Sequence, residues 1–215
     1  MKIGILGSGI VGQTLGAGFA ALGHDVKLAS REPADERITG WVARVGARAS
    51  GGTFADTAAF GEVAVLATPW TGTENAIRLA TQENLAGKVV IDVTNPFLFP
   101  LNAPPGLALG YTDSGGEQVQ RWLPDARAVK AFNCVGSAHM IRPQFPGGPP
   151  DMFICGNDAG AKETVTGICR GFGWPSVIDV GGIEGARLLE PLAMLWVLHG
   201  VRSGSWNHAF KLLRK

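Results

Sequence analysis

The stretch KIGILGSGIVG, Lys2–Gly12, decides the fold. Lys2–Leu6 is a short apolar run that stops at glycines, the pattern of a strand buried on both faces of a parallel sheet. Gly7-Ser8-Gly9-Ile10-Val11-Gly12 then reads GxGxxG, and a helix is expected over Ile10–Leu22, broken by Gly23. The spacing has physical content. Gly7 permits a tight turn, Gly9 lets the backbone approach a pyrophosphate, and Gly12 lets helix and sheet pack closely. Backbone N–H groups at the helix N-terminus then meet negative phosphates. Alone, GxGxxG is a weak signal; between a strand and a helix, with a second strand in range, it is a dinucleotide-binding unit.

That second strand is expected at Asp25–Ala29 and runs into Ser30 and Arg31. A unit that binds NAD usually carries Asp or Glu here for the ribose hydroxyls. A carboxylate repels a 2′-phosphate, whereas a hydroxyl and a guanidinium bind it. The pair therefore points to NADP(H), with Arg37 as a second positive charge. Glu32 could serve a ribose if the strand ended later, but Pro33 is expected to turn it outward.

Further along, strand and helix patterns alternate, which implies βαβ units. A helix is expected over Ala34–Val45, a small strand at Thr53–Phe54, and a helical turn at Thr57–Phe60. Strands at Glu62–Ala67 and Lys88–Val93 flank a helix from about Thr73 to Asn84. Asn95–Ser114 is proline-rich and unpatterned, a long loop of the kind that is often functional. A helix at Gly116–Leu123 and a strand at Ala128–Phe132 follow. Pro143–Pro150, PQFPGGPP, suits neither helix nor inner strand and is taken as a linker. Beyond it lie a strand (Met152–Cys155), a helix (Ala159–Phe172) capped by Asp158, a strand (Ser176–Val180) and a helical region from Glu184 onward. The fold class expected is α/β: a Rossmann-type, doubly wound, mostly parallel sheet with a small C-terminal α/β extension. The division expected is an NADP-binding domain over 1–142 and a small domain over 151–215 that closes an acceptor site.

Ligands of open α/β sheets sit beyond the carboxyl ends of the strands. Three such ends carry Thr68-Pro69-Trp70, Thr94-Asn95-Pro96 and Phe132-Asn133-Cys134. Asn95 and Asn133 are placed to hydrogen-bond ribose or carboxamide groups, and Trp70 to cover a ring. Familiar catalysts are missing. Tyr111 is the sole tyrosine and no lysine lies four residues after it; there is no GxSxG and no HExxH. Hydride transfer between stacked rings asks mainly for position and exclusion of water, so no general acid or base is required.

Composition sets outer bounds. The 215 residues carry a net charge of +1, which offers no field for nucleic acid or an anionic membrane. Cys134, Cys155 and Cys169 form no CxxC pair, which argues against a zinc site or a disulfide framework and for a cytoplasmic setting. The most apolar stretch, Leu188–Val201, is interrupted by Glu190 and Pro191 and reads as a buried helix, not a membrane span. No metal site is expected.

Taken together, Lys2–Gly12, Ser30-Arg31, ATPW at Ala67–Trp70, VIDVTNP at Val90–Pro96, VKAFN at Val129–Asn133, CGND at Cys155–Asp158 and DVGGIEGARLLEPLA at Asp179–Ala193 resemble the NADPH-dependent reductases of the deazaflavin coenzyme F420. The same domain occurs in the STEAP metalloreductases. The resemblance implies a Rossmann domain with a small C-terminal domain, a homodimer, and a second ring docked beside the nicotinamide. It maps Ser8, Gly9, Ile10, Val11, Ser30, Arg31 and Ala131–Asn133 onto cofactor-binding positions. The chain departs from the pattern at Glu32-Pro33, where a basic residue often follows, and in Asn95–Ser114, which is longer and richer in proline than in the archaeal reductases. The function implied is hydride transfer between NADPH and a deazaflavin or flavin-like small-molecule acceptor. A soluble flavin or ferric reductase and a non-catalytic NADP(H)-binding redox sensor are the alternatives. An open pocket over the nicotinamide favours the enzymes, and a filled one the sensor. β-Hydroxyacid dehydrogenases share the N-terminal unit but need a long all-helical second domain that 151–215 cannot supply. The acceptor site is expected between Thr68–Trp70 and Asn133–Cys134 on one side and Leu189–Trp196 with Trp206–His208 on the other. Cys134, Trp206 and Asn207 are its candidate substrate contacts.

Overall fold

The computed structural model describes residues 1–213. In chain order the elements are β1 (Lys2–Leu6), α1 (Ile10–Ala21), β2 (Asp25–Ala29), α2 (Glu36–Val45), β3 (Ala49–Gly52), α3 (Phe54–Phe60), β4 (Val63–Leu66), α4 (Trp70–Ala80) and β5 (Val89–Asp92). There follow β6 (Phe97–Leu98), β7 (Gly106–Leu107), α5 (Gly115–Trp122), β8 (Arg127–Lys130), β9 (Asp151–Gly156), α6 (Ala159–Gly171), β10 (Ser176–Asp179) and α7 (Ala186–Ser203). Residues 214–215, the end of the helical region expected from Glu184 onward, lie outside the described residues. From Gly204 to Leu213 the chain is irregular.

Eight strands form one sheet in the order β10-β9-β8-β5-β4-β1-β2-β3. The order reverses between β1 and β4, as in a doubly wound fold. Along β1 the side chains alternate between two layers. Ile3 and Ile5 join Phe19 and Trp41 on one face of the sheet, and Leu6 joins Leu66 and Val90 on the other. Such two-sided burial is what a continuous apolar strand signals.

Three expectations are corrected. The third strand is Ala49–Gly52, not Thr53–Phe54. Gly51 and Gly52 are poor strand formers, but Gly51 leaves the space that Ile38 of α2 fills. Thr53 belongs instead to a capping box with Asp56, so the helix expected at Thr57 begins at Phe54. The segment 95–114 is not unpatterned, because β6 and β7 pair as an antiparallel hairpin inside it. Beyond 143–150 the chain returns to the sheet it left. β9 pairs antiparallel with β8 through Val129↔Gly156 and Lys130↔Cys155, so residues 151–179 extend the same sheet.

Candidate functional site

The site is a cleft along the carboxyl edge of the sheet, where the connections leaving the paired strands β1 and β4 part. Two cavities share it. One, of about 360 Å³, runs from the Gly7–Gly9 turn to Ser30, Arg31 and Arg37. The other, of about 500 Å³, shares Gly9, Ala67, Thr68, Pro69 and Thr71 with it and continues past Ile10, Val11 and Trp70 to Thr94, Asn95 and Phe97–Phe99. The trough has a cationic end and an apolar end.

The glycine turn explains the middle. Gly7 has φ of 134°, and a Cβ there would strike the Ala67 carbonyl. Gly12 lies against the Gly7 carbonyl and the Ile5 side chain, so helix and strand touch. Gly9 is different: its φ of −71° suits any residue, and a Cβ would meet nothing within 4 Å. That vacant volume is the space a pyrophosphate needs. No side chain caps α1 at Gly9, so the first-turn N–H groups are left for an anion. This cradle fits a dinucleotide.

At the cationic end the Ser30 hydroxyl accepts the Glu32 N–H at 3.2 Å. The turn leaves Arg31 on the cavity wall and Glu32 off it. Arg37 reaches the same wall from the first turn of α2, its guanidinium held by Asp35 with an Nη2–Oδ2 distance of 2.7 Å. Hydrogen bonds from Arg37 bring the Asp35 carboxyl down to about 2, so this orienting pair is charged at neutral pH. Among the described residues no carboxylate lines this cavity. A hydroxyl and two guanidiniums fit a 2′-phosphate.

The other end is fixed by a chain of amides. Asn133 donates to the Asn95 Oδ1 at 3.0 Å and to the Leu189 carbonyl at 3.1 Å, which uses both of its amide hydrogens. Asn133 therefore has no donor left for a carboxamide; its Oδ1, which takes only the Cys134 thiol at 3.4 Å, is the atom that can accept from a ribose hydroxyl or an amide N–H. Asn95 spends one amide hydrogen on the Asn133 carbonyl at 2.9 Å, keeps the other, and lines the cavity. Ala131 and Phe132 are buried, and the Phe132 ring packs on Phe172, so these two can offer the cofactor only backbone. Thr68 is tied to Thr73 at 3.0 Å, and Trp70 stacks on Trp122 as well as lining the cavity. Cys134 bonds the Leu189 carbonyl at 3.0 Å, and burial pushes its thiol up to about 12, so it is no nucleophile at neutral pH.

Trp206 and Asn207 lie elsewhere than expected. Trp206 packs on Gly200 and Trp196, and Asn207 pairs with His139 at 3.2 Å. Neither lines the two cleft cavities. From Gly204 to His208 the chain runs back beside α7, with Trp206 on Gly200 and Trp196, and the far end of the cleft is lined by Phe97–Phe99.

Beneath the floor sits a cluster that sequence reasoning missed. Lys130 is fully buried, with Nζ 2.8 Å from Asp92, 3.1 Å from Glu190 and 2.7 Å from the Thr94 carbonyl. Glu190 in turn accepts the N–H groups of Gly115 and Gly116 at the start of α5, both at 2.9 Å. Burial alone would pull the Lys130 ammonium down; the two carboxylates more than reverse this, and its proton is held more tightly than in water. The signal was present, since each charge interrupts an apolar run and a buried charge needs a partner.

Residues 2–96 match the family model described as NADP oxidoreductase, coenzyme F420-dependent. The chain is 32% identical to the rat metalloreductase STEAP3 over 90% of its own length, and 30% identical to the F420-dependent NADP reductase of Methanocaldococcus jannaschii over 66%. It spans only 37% and 63% of those two relatives. A crystal structure from Arthrobacter sp. FB24, described as a candidate F420-dependent NADP reductase, superposes over 100% of both chains with a TM-score of 0.94 and 37% identity. Imine reductases such as that of Streptomyces aurantiacus, at 16% identity and a TM-score of 0.68, share the fold alone. The glycine cradle, the cationic corner and these likenesses agree: the chain belongs to the coenzyme F420-dependent NADP oxidoreductase family.

Proposed function

We propose that the enzyme binds NADP(H) along the trough and passes hydride from NADPH to a deazaflavin (F420) or flavin-like ring. One observation carries this reading. Among the described residues the apolar cavity is lined by no Asp, Glu, His, Lys, Arg, Cys or Tyr side chain. Carbonyl or imine reduction calls for a positioned proton donor, whereas a conjugated ring accepts hydride and takes its proton from water. The cavity is open, which supports an enzyme over a sensor. The STEAP3 likeness supports a second acceptor route, in which free reduced flavin hands electrons on to ferric iron. Anaerobic NADPH oxidation against F420, FMN, FAD, riboflavin and quinones is the test. Turnover with at least one ring acceptor is expected, and none with any would overturn the reading.

The enzyme is proposed to act as a homodimer in a reducing cytoplasm. A groove between Leu107–Tyr111 and α7 leaves Leu188, Leu195 and Tyr111 exposed, an apolar face suited to a second copy. Sedimentation of Leu188→Glu against the parent chain checks it; an unchanged monomer in both would sink it.

A further inference from the structure

We infer that the β6–β7 hairpin is the wall that selects the acceptor, and that it reads the acceptor's ring and not its tail. The inference rests on the ring-acceptor reading above and deepens it.

Phe97, Leu98 and Phe99 line the apolar cavity together with Ile10 and Val11. The two phenylalanine rings meet edge to face, with centroids 5.8 Å apart at 74°, and so form an apolar corner of two planes. Phe99 is 65% and Ile10 69% exposed. Large apolar side chains from two distant segments thus face one cavity uncovered, an arrangement a planar ligand would complete. The hairpin is held in place. The Phe97 N–H bonds the Asn95 carbonyl at 2.8 Å, the Ala108 N–H bonds the Pro96 carbonyl at 2.7 Å, and Asn95 is itself clamped by Asn133. The phenylalanines are therefore presented by the same strand end that carries Asn95.

Charge divides the trough. The cations Arg31 and Arg37 stand in the other cavity, where a 2′-phosphate fits. No charged side chain lines the hairpin end among the described residues. An anionic tail on the acceptor finds no partner there, so recognition falls to the faces of an uncharged planar heteroaromatic ring. In the step this serves, the hydride leaves NADPH with its electron pair and bonds to the acceptor ring. NADPH is oxidised, the ring is reduced by two electrons, and the accompanying proton comes from water.

The test uses riboflavin and FMN, which share a ring and differ by a phosphate. Flavin fluorescence quenching on the NADP⁺-loaded protein gives affinity apart from turnover. Riboflavin and FMN are expected to bind the parent chain alike, within about threefold. Phe99→Ala should weaken both by roughly tenfold and raise their KM, with NADPH affinity within about twofold of the parent. Phe99→Gln, which keeps length and removes the ring, should behave as Phe99→Ala does. Because Phe99 is exposed, retained NADPH binding certifies the fold of both variants. Undiminished riboflavin affinity in both variants, or FMN bound more than about tenfold tighter than riboflavin by the parent, overturns the hairpin's role while the ring-acceptor reading stands. A parent chain that binds and reduces no flavin or deazaflavin overturns both.

Discussion

Arg31 and Gly9 test opposite kinds of contact. Arg31 contributes a charge that only one cofactor can use. Arg31→Ala should weaken NADPH by about 1.5–3 kcal/mol and NADH far less, because a charge-assisted contact to the 2′-phosphate disappears. Calorimetric titration of both cofactors decides it, and equal losses would remove Arg31 from the phosphate corner. Gly9 contributes an absence. Its backbone is ordinary and its surroundings are empty, so Gly9→Val should fold as the parent does and yet lose NADPH binding, since the side chain stands where the pyrophosphate goes. Native circular dichroism with parent-like binding would move the phosphate site elsewhere. At this scale the sequence was legible wherever a residue acts through its own shape, as these two do. It was silent on the partners of Asn133, whose amide hydrogens go to Asn95 and to Leu189, 56 residues away. No local pattern announces a partner that distant.

At the scale of elements, β1, β2, α1 and α6 follow directly from periodicity and glycine punctuation, because each has one buried pattern and one clear stop. β3 and the hairpin do not. β3 is an edge strand whose Gly51 is chosen for the neighbour it admits, and the hairpin pairs over only two residue pairs. Both are defined by what packs on them. The Lys130 cluster is likewise a property of elements in combination: it joins β5, β8, α5 and α7 in one buried network. Lys130→Met would leave Asp92 and Glu190 buried without their cation, and should cost about 3–5 kcal/mol in urea unfolding. The pH dependence has a definite sign. Lys130 holds its proton above its ordinary 10.5, so the parent chain draws the full contribution below that pH and loses it as pH rises past it. The gap in stability between parent and variant should therefore close in strong alkali, as the parent's lysine loses its proton, and narrow on acidification, as the carboxylates left without a cation take up protons in the variant. A gap that stayed open in strong alkali would mean that the lysine is not the charged partner.

For the whole molecule, the doubly wound sheet was legible from one glycine turn and a rhythm of strands, and the place of the cleft followed from topology. The course of residues 131–150 did not, because prolines report where regular structure stops and not where the chain goes next. That course brings β9 in against the direction of β8, and the joint it makes is narrow: two residue pairs, against five between β1 and β2 and four between β4 and β5. In its backbone pairing the sheet has a line of weakness there, and the Lys130–Glu190 and Asn133–Leu189 bonds act as rivets between α7 and the β8 side of it. Native-state hydrogen exchange should release the amides of Ile154 and Val177 together, well before those of Ile5, Val65 and Ile91. Glu190→Gln, which loosens one rivet, should widen that interval. Exchange of Ile154 as slow as that of Ile91 would show the joint to be as strong as the rest. If the interval is real, β9 and β10 behave in time as a detachable leaf, paired to the rest of the sheet over a strip two residues wide.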